Sequence, residues 1–147
     1  MKIGTRYHGE ILVDESQLWL FESGIPGFQD EQEFIILPLE GNEYFNIMQS
    51  VKTEQLAFVI TDPFIFFKDY DFTLEDGDIY HLKLEKKEDV KVFVILTVKE
   101  PLQLTTANLQ GPVIFNQKNK MAKQVILKDT SYTTKHLIFQ KKEAVKG

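Results

Sequence analysis

The sequence contains no cysteine among its 147 residues. Disulfides, thiolate metal ligands and a cysteine nucleophile are therefore excluded, and the composition fits a reducing compartment. Long hydrophobic runs are also missing, because the longest one, residues 56–67, is interrupted at Thr61, Asp62 and Pro63. A membrane-spanning helix needs about 20 apolar residues. The first residues, MKIGTRYHGE, lack the apolar segment of a signal peptide. We therefore expect a cytoplasmic protein that has no membrane partner.

Recognisable catalytic motifs are missing as well. The three histidines, His8, His81 and His136, lie far apart, and the chain has no glycine-rich phosphate loop and no GxSxG motif. This pattern predicts a protein that is not an enzyme and needs no cofactor or metal. Asp69 and Asp71 would share one face of a strand. They leave a small hydrolytic enzyme as a weaker alternative.

The charges of the chain are divided unevenly along its length. Residues 1–100 carry 9 Lys and Arg against 20 Asp and Glu, whereas residues 101–147 carry 8 Lys against 2 Asp and Glu. An acidic body repels nucleic acid and attracts basic proteins, and the basic last third has the opposite preference. Ordinary solvated surface explains the same division equally well. The length predicts one domain over residues 1–140, followed by a flexible, lysine-rich tail over residues 141–147.

Short segments rich in Val, Ile, Phe and Leu recur between clusters of Gly, Pro, Asn and Asp. This spacing predicts a mainly β, compact, antiparallel β-barrel-like domain. One short helix is predicted near residues 74–84, with Thr73 as its N-cap. Pro26 and Gly27 predict a type II turn. The predicted strands are 10–13, 18–21, 34–37, 44–50, 56–61, 64–67, 92–98, 113–116 and 124–127.

Aromatic and acidic side chains alternate in an unusual way over residues 63–72, PFIFFKDYDF. If this segment is extended, Ile65, Phe67, Asp69 and Asp71 lie on one face. Large apolar groups beside carboxylates are typical of a protein-binding surface. Burial of both faces is the structural alternative. Exposed rings on a small barrel also suggest a single-stranded nucleic-acid-binding protein, although the lysines such a protein needs lie mostly after residue 117.

Five stretches of the chain stand out as a set: FESGIPGF (21–28), MQS (48–50), LAFVITDPFIFFKDYDF (56–72), TANLQGPVIFN (106–116), and KQVIL (123–127) through YTTKH (132–136). Together they resemble the flagellar assembly factor FliW family. They follow one another in the family's order and cover nearly the whole chain. Two positions depart from the family pattern, Ala122 in place of Gly and Leu137 in place of Pro.

The resemblance implies a bacterial, cytoplasmic, non-enzymatic protein with two protein partners. These are flagellin before its export and CsrA, an RNA-binding regulator that represses translation of the flagellin message. Flagellin occupies FliW while it accumulates, and once it is exported the freed FliW binds and antagonises CsrA.

Two hypotheses place these partners on particular residues. An apolar groove would receive a flagellin helix, and a carboxylate cluster would repel RNA phosphates beside CsrA. The candidate groove residues are Ile65, Phe67, Tyr70 and Phe72, with Ile25 and Phe28 of the Gly24–Phe28 turn as a rim. The candidate carboxylates are Asp69, Asp71, Glu75, Asp76 and Asp78.

Overall fold

A computed structural model describes residues 1–139 of the chain. The predicted tail, residues 141–147, lies outside the described residues. The strands are β1 Lys2–Gly4, β2 Glu10–Leu12, β3 Trp19–Leu20, β4 Glu33–Leu39, β5 Asn42–Ser50, β6 Ala57–Thr61, β7 Val90–Thr97, β8 Thr106–Ala107, β9 Val113–Asn116, β10 Met121–Gln124 and β11 His136–Leu137. The helices are α1 Pro63–Phe66 and α2 Asp76–Leu82, and 3₁₀ turns cover Glu15–Gln17, Lys87–Asp89 and Leu102–Leu104.

The sheet closes on itself to form a barrel. Its strands run in the order β7, β6, β5, β4, β3, β10, β9, and β9 pairs back with the first half of β7. The second half of β7 pairs with β8, and β11 follows at the outer edge. The pairs are antiparallel except for β3 with β10. The prediction of a mainly β, barrel-like fold is therefore confirmed.

The barrel interior is filled by aromatic and aliphatic side chains from most of its strands. Phe34, Met48, Ile60, Phe93 and Phe115 come from β4, β5, β6, β7 and β9 in turn and form one buried cluster. Most adjacent positions point outward and are buried as well, Ile35, Ile47, Val94 and Ile114 among them, because other elements cover the barrel wall. This double coverage explains why the strands are nearly continuous hydrophobic runs in the sequence.

Three outer layers cover the barrel wall. The β1–β2 hairpin packs on Ile35 of β4, and α2 packs through Leu82 on Ile114 of β9. The segment after α1 packs through Tyr70 on Val94 of β7. Within residues 1–139 no helix is long and apolar enough to cross a membrane.

Most of the predicted strands match the structure to within two residues at each end, but two do not. The predicted strand over residues 64–67 is wrong, because residues 63–66 form α1. The predicted strand over residues 124–127 begins where β10 ends. Residues after Gln124 stay extended, and the amides of Val125 and Leu127 donate to the carbonyls of Pro112 and Gln110. Strands β1, β8 and β11 were not predicted.

The predicted short helix is present, but it begins later than expected. α2 has Glu75 at its N-cap without a side-chain hydrogen bond, so Thr73 is not the cap. The predicted turn is confirmed: the Phe28 amide donates to the Ile25 carbonyl at 2.6 Å, and Gly27 has φ 87°. Ala122, one of the two departures from the family pattern, lies in β10 opposite Phe115.

Candidate functional site

The single helical turn α1 exposes large apolar side chains, and the residues at its N-terminus explain why a helix forms there. The Asp62 carboxylate accepts a hydrogen bond from the Phe64 amide at 2.9 Å, and Pro63 occupies the first helical position. The same carboxylate accepts from Nζ of Lys91 at 2.9 Å. The helical turn directs Phe64 and Ile65 outward, and they are 43% and 46% exposed.

An apolar surface forms where α1 meets the start of β5; we define it as Tyr44, Phe64, Ile65 and Phe66. Tyr44 is 48% exposed, and its ring centroid lies 6.2 Å from that of Phe66. Phe66 is half-buried, and its ring also lies 5.9 Å from Phe139. Of these four residues, only Ile65 is among the groove residues predicted from the sequence.

The aromatic residues after α1 belong largely to the packing of the domain. Tyr70 is only 5% exposed, and its hydroxyl donates to the Leu109 carbonyl at 2.7 Å. Burial, and secondarily the neighbouring Tyr132, raises the pKa of the Tyr70 phenol. Phe67 and Phe72 are partly buried against the same cluster. The structure therefore contradicts the expectation that Tyr70 faces an open groove, since its ring and hydroxyl are both used inside the fold.

Four of the five candidate carboxylates are exposed: Asp69, Asp71, Glu75 and Asp76. We call these four the acidic rim. They lie in the irregular connection between α1 and α2 and at the first position of α2, not on a strand. Asp69 and Asp71 therefore do not share a strand face.

Asp78 does not belong with the other carboxylates. It is 8% exposed, and its Oδ1 accepts from Nζ of Lys123 at 2.7 Å. The nearby ammonium neutralises this carboxylate, so it contributes little to a negative field outside the protein. The expectation that Asp78 supplies part of an external field is contradicted by its burial and pairing.

A cleft of about 390 Å³ lies beside the acidic rim. Asp71, Phe72 and Glu75 line one side, while Ile126 and Lys128 line the other. Ile126 is 52% exposed, so the cleft has an apolar wall as well as charged ones. Within residues 1–139 no group of three His, Asp or Glu side chains is arranged to hold a metal ion.

The Gly24–Phe28 turn is anchored elsewhere on the barrel. Ile25 is 2% exposed and belongs to the interior cluster. Phe28 is 43% exposed, and its ring packs at 5.8 Å on Phe58 of β6. Residues before the turn line a crevice with His81 and Leu82 of α2. The turn is therefore positioned by β6 and α2, and Ile25 is a core residue rather than the rim of a groove.

Within the described part of the basic last third, residues 101–139, three lysines are held by acidic or aromatic groups. Lys118 pairs with Glu85 at 3.0 Å, and Lys123 pairs with Asp78. The bond with Glu85 raises the pKa of Lys118. Nζ of Lys120 lies 3.8 Å from the centroid of the Trp19 ring, and burial lowers the pKa of this ammonium. Folding thus brings several of these lysines against acidic or aromatic groups of the first hundred residues.

Comparison with known proteins identifies relatives along the full length of the chain. The model of the FliW protein family matches residues 2–138. Flagellar assembly factors FliW from Bacillus velezensis and Bacillus subtilis are each 52% identical over 138 residues, covering 94% of this chain and 96% of the relative. A crystal structure of the flagellar assembly factor FliW superposes with a TM-score of 0.93 at 45% identity, covering 97% of this chain and 99% of that one.

The fold defines a small closed β-barrel protein. Its exposed features include an apolar surface at α1, and the carboxylates of the acidic rim follow α1 in the chain. Sequence identity then specifies the family within that class. The chain belongs to the FliW family, and the resemblance carried by its five stretches is confirmed.

Proposed function

We propose that this protein is a cytoplasmic flagellar assembly factor that binds flagellin and CsrA and, by binding CsrA, relieves repression of flagellin translation. The full-length similarity to FliW proteins supports the flagellar role. The observation that carries the proposal is that an exposed apolar turn and four exposed carboxylates occur within 13 consecutive positions, 64–76. Large apolar groups bordered by charges are the composition expected of a protein-binding surface.

The apolar and the acidic side chains would have different roles in a complex with a protein partner. Phe64 and Ile65 of the apolar surface can become buried against an amphipathic helix. Such a helix is one kind of partner that binds through its apolar face. The acidic rim places negative charge beside a basic partner and acts over about 8 Å at physiological salt. An RNA phosphate that approaches such a complex would meet this negative field.

Single-stranded nucleic-acid binding is the weaker candidate. It needs several free cations next to exposed rings. Here Lys118 and Lys123 are paired with carboxylates, and the exposed ring of Phe64 is followed in the chain by the four carboxylates of the acidic rim. We also expect no catalytic activity.

Calorimetric titration with purified CsrA, repeated with flagellin already bound, tests the proposal. Binding in the first titration and none in the second is the result expected of a partner switch. Binding in both would mean that the two partners use separate sites. Failure to bind either protein would overturn the proposal.

Variants of the same titration test the apolar surface. Ile65→Ser removes an exposed apolar side chain of α1, and we expect it to weaken the affinity for at least one partner about tenfold. Leu12→Ser is the matched control, because Leu12 is 78% exposed on β2. Equal affinities of the two variants for both partners would exclude Ile65 from the binding surfaces.

A further inference from the structure

The loop over residues 130–136 is closed by a hydrogen bond to a histidine ring. The backbone amide of Thr133 donates to Nε2 of His136 at 2.9 Å. A ring nitrogen accepts a hydrogen bond only when it carries no proton. This geometry therefore requires a neutral His136 with its proton on Nδ1.

The same loop is also held at Thr133 and at the preceding Tyr132. The Thr133 carbonyl accepts from the amides of Leu109 and Gln110 at 3.1 and 3.2 Å. The hydroxyl of the preceding Tyr132 accepts from the Asp71 amide at 3.0 Å. A turn held by the His136 ring thus supports contacts to the connection after β8 and to the segment after α1.

These contacts close one side of a cleft of about 290 Å³. Tyr132 packs at 4.8 Å on the ring of Tyr70, and the ring of His136 lies 6.2 Å from that of Phe67. Tyr132 and His136 therefore form the part of the cleft wall that belongs to the 130–136 loop. If the loop moved away, the rings of Phe67 and Tyr70 would become more exposed.

Several titratable or charged groups share this region with His136. Lys68, Asp69 and Tyr70 lie on the opposite wall of the cleft, and Tyr132 and Lys135 lie on the loop itself. Once the proton is on Nε2, the bond from Thr133 cannot form.

We propose that His136 is a pH-sensitive latch: protonation of its Nε2 releases the Thr133 amide, loosens the 130–136 loop and exposes the aromatic wall formed by Phe67 and Tyr70. The latch acts through the fold alone, so its success or failure does not depend on either proposed protein partner.

Amide hydrogen exchange measured by NMR on the full chain tests this latch. We expect the protection factor of the Thr133 amide, corrected for intrinsic exchange, to fall about tenfold or more between pH 8 and pH 5. The midpoint of the fall should coincide with the titration of the His136 Cε1–H resonance. A Thr133 protection factor that stays constant across this titration would overturn the proposal.

His136→Gln supplies a side-chain oxygen that can accept the Thr133 amide but cannot be protonated in this range. In this variant the pH-dependent loss of protection should be largely abolished, whereas His81→Gln on α2 should behave like the unmodified protein. An equal loss in His136→Gln would contradict the latch. The tautomer of His136 at pH 8, read from long-range ¹H–¹⁵N couplings, needs no variant, and a proton on Nε2 would also overturn the proposal.

Discussion

Nζ of Lys123 donates to Oδ1 of Asp78 at 2.7 Å and thereby fastens α2 to β10. The side chains of Lys123 and Asp78 are 35% and 11% exposed, so this pair is partly removed from water. Removing one member of such a pair leaves the other with an incompletely compensated charge. The pair joins residues 45 positions apart in the chain. It links the acidic first hundred residues to the basic last third.

Asp78→Asn should lower the free energy of unfolding by about 1–3 kcal/mol, because Lys123 loses its charged acceptor at a largely buried site. Glu85→Gln is the matched control. It removes the charge from the pair with Lys118, whose side chains are 68% and 62% exposed, and exposed pairs contribute about 0–1 kcal/mol. Urea unfolding followed by the fluorescence of Trp19 measures the free energy of unfolding of both variants. Equal destabilisation by the two substitutions would contradict this assignment.

Gly24→Ala should destabilise the protein far more than Gly27→Ala. Both glycines have positive φ, 71° and 87°, so either substitution incurs about 1–2 kcal/mol of backbone strain. A methyl group on Gly24 would also lie 2.7 Å from Cα of Gln29, whereas one on Gly27 would meet nothing within 4 Å. We expect a loss of roughly 3 kcal/mol or more for Gly24→Ala. Similar melting temperatures for the two variants would show that the backbone contact at Gly24 is unimportant.

Tyr70→Phe should change both the stability and its dependence on alkaline pH. At neutral pH the substitution should lower the free energy of unfolding by about 1 kcal/mol, because the hydrogen bond to the Leu109 carbonyl disappears. Burial raises the pKa of Tyr70 in the folded protein above its ordinary value of 10.0. Above that pH the unfolded chain therefore releases a proton that the folded protein keeps, and stability falls with pH by up to about 1.4 kcal/mol per unit.

Tyr70→Phe removes this contribution, so its stability should fall less steeply above pH 10. Tyr7→Phe is the control, because Tyr7 is 50% exposed. Equilibrium unfolding between pH 9 and pH 11 provides the comparison. An identical slope for Tyr70→Phe and the unmodified protein would mean that Tyr70 ionises as freely in the folded state as in the unfolded one.

The positions of most barrel strands could be predicted from the sequence, because a local pattern of residues marks each of them. The runs around Phe34 and Val113 are rich in apolar residues and flanked by polar or turn residues, which is sufficient to locate a strand. Strands β1, β8 and β11 have three residues or fewer and carry no apolar run, whereas the equally short β2 and β3 fall inside the runs at 10–13 and 18–21. A short strand without such a run is defined by its partner rather than by a local pattern. The closure of β9 onto β7 is likewise a long-range pairing that no local pattern encodes.

The error at residues 64–67 has a specific physical cause. The β propensity of Phe and Ile predicted a strand there. Asp62 and Pro63, however, are a good N-cap and a good first helical residue, and this local signal determined the structure. As a result of this helical turn, both Phe64 and Ile65 are exposed. The pairing of Asp78 with Lys123 was also unpredictable, because it depends on how α2 packs on β10.

The acidic rim should contribute to antagonism of CsrA without contributing much to stability. A variant that combines Asp69→Asn, Asp71→Asn, Glu75→Gln and Asp76→Asn removes four exposed negative charges. Surface substitutions of this kind usually change stability by about 0.5 kcal/mol or less each. If the rim repels RNA beside a bound CsrA, the variant should inhibit RNA binding by CsrA less strongly, and the difference should shrink as salt is added.

The control for the acidic rim must remove the same charge elsewhere. Exposed Glu10, Glu15, Glu33 and Glu54 lie on β2, in neighbouring turns and at the first position of β4, and they offer four matched Glu→Gln substitutions. Each variant can compete with labelled flagellin message for CsrA at 50 and 300 mM salt. This competition distinguishes an effect of the nearby carboxylates from an effect of the protein's net charge. Weaker inhibition by the rim variant alone is the expected result, because screening over about 8 Å lets only nearby carboxylates act on the RNA. Equal weakening by both variants would assign the effect to net charge, and unchanged inhibition by the rim variant would exclude these four carboxylates from the antagonism.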